Sequence, residues 1–99
     1  MSDEMRKEMK NTYAASLCRN GILGGGLCIQ EDKLVFRTGK VTVPQRLRNL
    51  ELSFKDIDEL NEESALLLPA VTVKMKGGEE WKFIVYSRSS FLANLKERL

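Results

Sequence analysis

The sequence predicts a mainly β domain, in which about seven antiparallel strands form a partly open barrel capped by a C-terminal α-helix. Through the middle of the chain, apolar and polar residues alternate with a period of two, which is typical of half-buried strands. After Ser87 the apolar period changes to that of a helix. The 99 residues, 42% of them apolar and 30% charged, suffice for one small soluble core.

The first predicted strand carries Tyr13, Ala15 and Leu17 on one face, and Arg19-Asn20-Gly21 ends it. Gly24-Gly25-Gly26 is then expected to be a flexible connector or a bulge. It is not a phosphate-binding loop, because such a loop precedes a helix N-terminus, and here a strand is expected to follow.

The next two strands form a predicted hairpin, whose register the apolar residues define. Leu27 and Ile29 share one face of the first strand, and Leu34 and Phe36 share one face of the second. Ile29 faces Leu34 only across a loop with an even number of residues. Glu31-Asp32 therefore forms a two-residue turn, which also places Leu27 opposite Phe36.

The second half of the chain continues with strands. Leu50, Leu52 and Phe54 alternate with polar residues after a loop-like stretch at 37–46. A further strand is expected to begin at 56–60. Asn61-Glu62-Glu63-Ser64 is expected to form a polar turn.

Two more apolar faces flank a pair of glycines. They consist of Val71, Val73 and Met75 on one side and Trp81, Phe83 and Val85 on the other. A two-residue turn would put these sets on opposite faces of the hairpin. We therefore predict a three-residue loop, Gly77-Gly78-Glu79, which pairs Met75 with Trp81 and Val73 with Phe83. One glycine is then left-handed, and a bulge follows.

The C-terminal helix is predicted from Ser87, the expected N-cap, to the end of the chain. Its apolar stripe consists of Phe91, Leu92, Leu95 and Leu99, and its outward face consists of Arg88, Asn94, Glu97 and Arg98. Four aromatic residues are expected in the core rather than in an aromatic binding box: Phe36, Trp81, Phe83 and Phe91.

Composition argues against an enzyme, and no catalytic residue, metal ligand or cofactor is predicted. Histidine is absent, which removes the commonest general base and most transition-metal sites. Cys18 and Cys28 do not form a C-x-x-C motif, and we expect two reduced, half-buried thiols rather than a disulfide. The carboxylate pairs Asp56/Asp58 and Glu62/Glu63 lack the spacing of a calcium loop and are expected to form a solvated face.

Residues 1–11 are interpreted as a tail, either flexible or helical, and residues 12–99 as a single domain. The first ten residues are highly charged and contain no apolar signal segment. No apolar run approaches the length of about 18 residues that a membrane span needs. We therefore expect a cytoplasmic protein. Peripheral attachment to the membrane surface is the alternative.

Four segments, taken in order along the chain, carry a family resemblance. The segments 26–36 (GLCIQEDKLVF) and 50–57 (LELSFKDI) resemble the opening segment and the following strand of GRAM-type and bacterial pleckstrin-homology-like domains. The hairpin at 71–85 and the closing helix at 87–99 complete the resemblance, which covers roughly residues 12–99. It implies a pleckstrin-homology-like fold and a binding role. Of the bases that lipid-binding members carry in the first strand–loop–strand, only Arg19 is present.

Charge is segregated along the chain, although the net charge is only +2. From Lys33 to Arg48 there are five bases and no acid; from Glu51 to Glu63 there are six acids and one base. The structural interpretation is that these charged side chains are solvated on strand edges and loops. The functional interpretation is a basic loop that meets an anionic lipid surface or an acidic protein partner. The predicted contact residues are Arg19, Arg37, Lys40, Arg46 and Arg48.

The predicted function is therefore non-catalytic binding. The alternative is a structural subunit that forms a homo-oligomer, either by pairing of open strand edges or by contact of the basic loop with the acidic segment of another copy. Nucleic-acid binding is not expected, because there is no recognition motif and the pI is only about 8.6.

Overall fold

The computed structural model describes residues 11–19, 21–39 and 44–99. Lys40 and nearly all of the expected tail at 1–11 lie outside these ranges. The elements are β1 (Thr12–Cys18), β2 (Ile22–Ile29), β3 (Lys33–Arg37), α1 (Gln45–Arg48), β4 (Asn49–Ser53), β5 (Ile57–Ala65), β6 (Leu68–Met75), β7 (Glu80–Val85) and α2 (Arg88–Arg98). A 3₁₀ turn, Phe54–Asp56, joins β4 to β5.

The predicted fold class is confirmed: the chain is mainly β, with seven antiparallel strands in one curled sheet and a C-terminal helix. The strand order is β4-β3-β2-β1-β7-β6-β5. The sheet therefore consists of a four-stranded and a three-stranded meander, joined by pairing of β1 with β7 through Ala15–Leu17 and Phe83–Val85. A corner separates β4 from β5, where the amide of Phe54 donates to the carbonyl of Asp32 (3.0 Å).

The concave face of the sheet and helix α2 enclose one hydrophobic core. All four aromatic residues predicted for it are buried, since each is at most 7% exposed. The rings of Phe36 and Phe83 lie 5.5 Å apart and connect the two meanders across the core. The remaining members of the core cluster are Ala15, Leu17, Leu27, Ile29, Leu34, Leu52, Val71, Val73, Val85, Leu92 and Leu95.

The β2–β3 hairpin has the predicted register. Ile29 pairs with Leu34, and Leu27 pairs with Phe36. The amide of Gln30 donates to the carbonyl of Lys33 (2.9 Å), which leaves Glu31-Asp32 as the two-residue turn. Apolar alternation fixes this register because a slip of one residue would turn every apolar side chain to the outer face.

The prediction that Gly24-Gly25-Gly26 is a connector or bulge is wrong. All three glycines lie within β2 and pair with residues 14–16 of β1. A Cβ at Gly25 would collide with the carbonyl oxygen of Arg37 and lie 2.9 Å from Cζ of Phe36. The strand requires glycine here because the Phe36 ring packs directly against its backbone.

The predicted polar turn at Asn61–Ser64 is also wrong. These residues lie inside β5, a nine-residue strand, and the chain reverses instead at Leu66-Leu67. Turn propensity favoured the polar residues, but β5 is an edge strand, where side chains can reach solvent and polarity is tolerated. Asp56, expected in the strand that begins at 56–60, belongs to the 3₁₀ turn instead, and β5 begins at Ile57.

The β6–β7 hairpin keeps the predicted face but not the predicted register. Val73 pairs with Trp81 rather than with Phe83. The amide of Met75 donates to the carbonyl of Glu79 (2.8 Å), so the three-residue loop is Lys76-Gly77-Gly78, with Gly78 left-handed (φ 97°). A shift of two residues preserves which side chains face the core, so the apolar pattern cannot distinguish the two registers.

Helix α2 buries Phe91, Leu92 and Leu95, as predicted. Leu99 does not join the stripe, since it follows the helix and is 52% exposed. Ser87 occupies the N-cap position, but its hydroxyl forms no capping hydrogen bond.

Two side chains expected on the outward face of α2 instead attach the helix to the sheet. Arg88 donates through Nη1 to the carbonyl of Glu63 (2.8 Å). Asn94 donates through Nδ2 to Asn11 (Oδ1, 2.9 Å) and to the hydroxyl of Tyr13 (3.1 Å). The sequence pattern predicts solvent exposure for these two side chains because polar residues on a helix are usually solvated. In the structure they form hydrogen bonds with polar groups of the sheet and of Asn11 instead.

Both cysteines are free thiols, with Cys18 half-buried and Cys28 buried.

Replacing Gly25 tests the close packing of Phe36 on β2. We expect Gly25→Ala to lower the free energy of unfolding by about 1–3 kcal/mol, because the added methyl group has no space. Gly24→Ala is the control, since a Cβ there has nothing within 4 Å. Urea denaturation measures both, and equal stabilities would contradict this account.

Candidate functional site

Four of the six carboxylates from Glu51 to Glu63, and also Glu80, form ion pairs with bases on the strands or on helix α2. Asp56 and Asp58 form no ion pair with another described residue. The ion pairs are Lys33–Glu51 (3.0 Å), Lys74–Glu59 (3.8 Å), Lys74–Glu80 (3.8 Å), Lys82–Glu63 (3.2 Å) and Arg88–Glu62 (3.5 Å). Each is partly exposed and stabilises the fold by only about 0–1 kcal/mol. Their larger effect is to remove most of the net negative charge from this part of the surface.

Glu63 shows this compensation in its titration. The hydroxyl of Thr72 and the ammonium of Lys82 lower the pKa of the Glu63 carboxyl below its ordinary value. The stabilisation that the ionised Glu63 carboxylate contributes is therefore present above its ordinary pKa and is lost as the pH falls through the lowered pKa.

Arg19 follows β1, and Trp81 positions it. Its guanidinium carbon lies 4.3 Å from the centroid of the Trp81 ring, on the strand that pairs with β1. This is a cation–π contact, and it restrains the arginine without neutralising its charge. No carboxylate among the described residues forms an ion pair with Arg19.

Arg37 and Arg48 lie close to each other at the end of β3. Arg37 pairs in register with Asn49 and donates through Nε to its Oδ1 (3.3 Å). Arg48 is the last residue of α1, and its carbonyl accepts a hydrogen bond from the amide of Thr38 (3.2 Å). The Arg48 side chain is half-buried, and its Nε is buried without a hydrogen-bond partner in the described part of the chain.

Of the five predicted contact residues, Arg37 and Arg48 lie together at the exit of β3, and Arg19 lies at the β1–β2 turn. Both positions are in the same direction along β2, but Arg37 pairs with Gly26 and the amide of Arg19 donates to the carbonyl of Gly21, so about 16 Å of strand separates them. The surface that carries these three arginines is called the basic end below. The hydroxyl of Thr38 donates to the carbonyl of Gly24 (2.8 Å) and fastens the exit of β3 to β2. Arg46 lies on α1, but its side chain, like all of Lys40, is outside the described part.

One surface feature was not predicted: two leucines form the turn between β5 and β6. Leu66 and Leu67, called the leucine tip below, both have positive φ angles, 54° and 66°. Their exposed fractions are 75% and 99%. Tyr86 and Leu68 extend this exposed apolar surface at its base. The sequence signal was the apolar run 66–71, which directly follows the acidic segment and contains no Gly, Asn or Asp to favour a positive φ.

The leucine tip is unfavourable for the isolated fold in two ways. A two-residue hairpin turn with both φ angles positive is of type I′, which favours Asn-Gly. The left-handed conformation costs about 1–2 kcal/mol for each residue with a side chain. In addition, both leucines keep their apolar surface in water.

A shallow groove of about 530 Å³ lies at the other end of β5. Its apolar lining consists of Phe54, Ile57, Leu60 and Leu99, and Lys55 and Arg98 are among its charged members. Within residues 11–19, 21–39 and 44–99, no group of three or more His, Cys, Asp or Glu side chains is placed to hold a metal ion. Helix α2 and the other described helical segments are too short or too polar to cross a membrane.

Comparison with known proteins gives a fold but no family. No protein-family model matches the sequence, and no curated protein matches it at a significant level. Among solved structures, the chain is similar to the C-terminal domain of an unknown protein from Leishmania infantum, with a TM-score of 0.73 and 13% sequence identity. The similarity covers 97% of this chain and 94% of that chain. The two chains share a fold.

Replacing the leucine tip with the residues that its geometry favours should stabilise the fold. We expect the double variant Leu66→Asn/Leu67→Gly to raise the free energy of unfolding by about 1–3 kcal/mol, because the left-handed strain is relieved. Leu66→Ala/Leu67→Ala is the control, since alanine removes the leucine side chains and keeps the strain. Thermal and urea unfolding measure the difference, and equal stabilities of the two variants would show that the turn is not strained.

Proposed function

We propose that this chain is a non-catalytic binding module of the GRAM or pleckstrin-homology-like type, which meets an anionic lipid surface through its basic end. The observation that supports this most directly is the unequal neutralisation of charge. Five carboxylates form ion pairs with bases within the domain, namely Glu51, Glu59, Glu62, Glu63 and Glu80. Arg19 and Arg48, in contrast, have no carboxylate partner in the described part.

The local sequence strengthens the positive potential at this end. Between Asn11 and Gln30 the only charged residue is Arg19, and between Lys33 and Leu50 every charged residue is a base. A carboxylate near these turns would compete with an anionic partner, and neither segment contains one. The planar guanidinium of arginine can also donate two hydrogen bonds to one phosphate.

The expected affinity is modest and sensitive to salt. A base near an anionic membrane contributes about 1 kcal/mol, so four or five bases support weak, reversible attachment. Because exposed charges are screened over about 8 Å at physiological ionic strength and about 3 Å at 1 M, high salt should abolish the contact.

Vesicle co-sedimentation tests this proposal. The chain is expected to bind phosphatidylcholine/phosphatidylserine vesicles more tightly than pure phosphatidylcholine vesicles, and this difference should disappear at 1 M salt. Arg37→Gln/Arg48→Gln should reduce affinity for the anionic vesicles by about 10–30-fold, from about 1 kcal/mol per base. Circular dichroism confirms that each variant folds.

The matched control is Lys55→Gln/Lys96→Gln, which removes the same charge from exposed positions elsewhere. If both pairs reduce binding equally, net charge and not the basic end is responsible. If the anionic lipid gives no increase in binding, the lipid proposal fails, and an acidic protein partner becomes the better account of the basic end.

Self-association through strand edges is the second candidate, and the length of β5 favours it. β5 has nine residues and lies at one edge of the sheet, where its outer side pairs with no other described strand. Its side chains oppose self-pairing, however. Antiparallel pairing about Asn61 would set Glu59 opposite Glu63 of a second copy, and like charges directly opposite one another are destabilising.

Light scattering coupled to size exclusion separates the two candidates. From the charge pattern of β5, we expect a monomer at neutral pH across the accessible concentration range. A monodisperse oligomer under these conditions would favour the self-associating subunit over the membrane-binding module.

A further inference from the structure

The leucine tip combines two features that a folded domain normally avoids. Leu67 is almost completely exposed, and both leucines hold a left-handed backbone for which asparagine and glycine are better suited. Neither feature serves the packing of the core, since the tip protrudes beyond the last pair of the hairpin, Ala65 and Leu68. Strain that the fold does not use is a reason to look for a role outside the fold.

We propose that the leucine tip inserts into the hydrocarbon edge of a lipid bilayer. This inference deepens the proposed function, because it adds an apolar contact to the electrostatic contact of the basic end. A bilayer is favoured over a protein pocket by the shape of the tip, which is a convex turn rather than a flat face or a groove. A fluid bilayer accepts such a turn without a complementary surface.

The surroundings of the tip fit a bilayer interface. The segment 64–69 (SALLLP) contains no charged residue, in a chain of which 30% is charged. The nearest charged residues along the chain and in register are Glu63 and Arg88, and each already forms an ion pair within the domain. Insertion to this depth therefore takes no unpaired charge out of water.

Tyr86 supports the same depth of insertion. It is 54% exposed at the base of the tip, directly after β7. Tyrosine is enriched where a protein crosses from the headgroups to the hydrocarbon, because its ring is apolar and its hydroxyl polar. The exposed side chains that follow it, Ser87, Ser89 and Ser90, are small and polar and suit the headgroup layer.

The tip and the basic end are separate contacts. By strand register the tip lies level with Tyr13, and Arg19 follows the other end of β1, about 20 Å away along the strand. Arg37 is level with Ala14, close to the level of the tip, but four strand spacings, about 19 Å, lie between β3 and β6. Charge and apolar surface can therefore be altered independently, and the two proposals can fail independently.

Vesicle binding of Leu66→Asn/Leu67→Gly is the first test. We expect this variant to bind pure phosphatidylcholine vesicles at least about tenfold more weakly than the unmodified chain, from the apolar area that no longer enters the bilayer. The salt dependence on anionic vesicles should remain unchanged. The turn-compatible residues keep the variant folded, so a loss of binding does not reflect unfolding.

The matched control is Ile22→Asn/Leu99→Asn, which removes two other exposed apolar side chains, 50% and 52% exposed. This pair should leave phosphatidylcholine binding within about twofold of the unmodified chain. An equal loss in both variants would mean that general surface hydrophobicity, and not the tip, determines binding, and would overturn the proposal.

Insertion itself is measured by tryptophan fluorescence in the variant Leu67→Trp. The added tryptophan should be quenched by phosphatidylcholine brominated in the upper part of the acyl chain, and less by lipid brominated near the chain end. Trp81 provides the background, since it is only 7% exposed in the domain core. The unmodified chain should therefore show little quenching.

The two membrane proposals give distinguishable results. Salt-sensitive binding to anionic vesicles with no effect of the tip variant and no quenching would leave the basic end intact and overturn the leucine tip. Salt-insensitive binding to neutral vesicles that requires the leucines would support the tip and contradict the basic end. Absence of quenching on vesicles that bind the chain would overturn insertion.

Discussion

The pairing of β1 with β7 is the contact on which the rest of the structure depends. It spans only three residue pairs, yet it joins the four-stranded and three-stranded meanders into one sheet. Ala15 and Leu17 on one strand and Phe83 and Val85 on the other present their side chains to the same core. Curling of the sheet about this junction brings Phe36 to Phe83 and leaves space that helix α2 fills with Phe91 and Leu95. Without this junction, each meander would expose one apolar face.

The sequence predicted those elements whose apolar side chains alternate without interruption. The β2–β3 hairpin has its predicted register because both of its strands carry large apolar residues on one face. The glycines of β2 were assigned to a connector because glycine has no side chain to show a period. Their role depends on Phe36, which is distant in sequence. The predicted β6–β7 register differs from the observed one by two residues. A shift of two residues leaves the same apolar side chains on the core face, so the sequence cannot distinguish the two registers.

The sequence predicted which basic residues belong to the candidate site, but not which charges of the surface are paired within the domain. Arg37 and Arg48 meet at the exit of β3 because β3 pairs with β4, and Arg19 follows β1 at the β1–β2 turn. The order of residues along the chain also predicted an acidic surface, but strand pairing brings bases beside several of these carboxylates. Lys74, Lys82 and Arg88 come from later elements and lie beside the carboxylates of β5. Which charges remain available to a partner therefore depends on strand neighbours that no local window contains.

The strained turn between β5 and β6 also has a consequence for how this surface changes during evolution. Most surface positions drift with little effect on stability, and a binding residue is usually neutral for the isolated fold. At Leu66 and Leu67, substitution by asparagine, aspartate or glycine is expected to stabilise the fold. Mutation and selection for stability therefore both act against the two leucines. Their retention requires selection for a role outside the fold, so a lineage without that role should lose the leucines quickly and keep the fold.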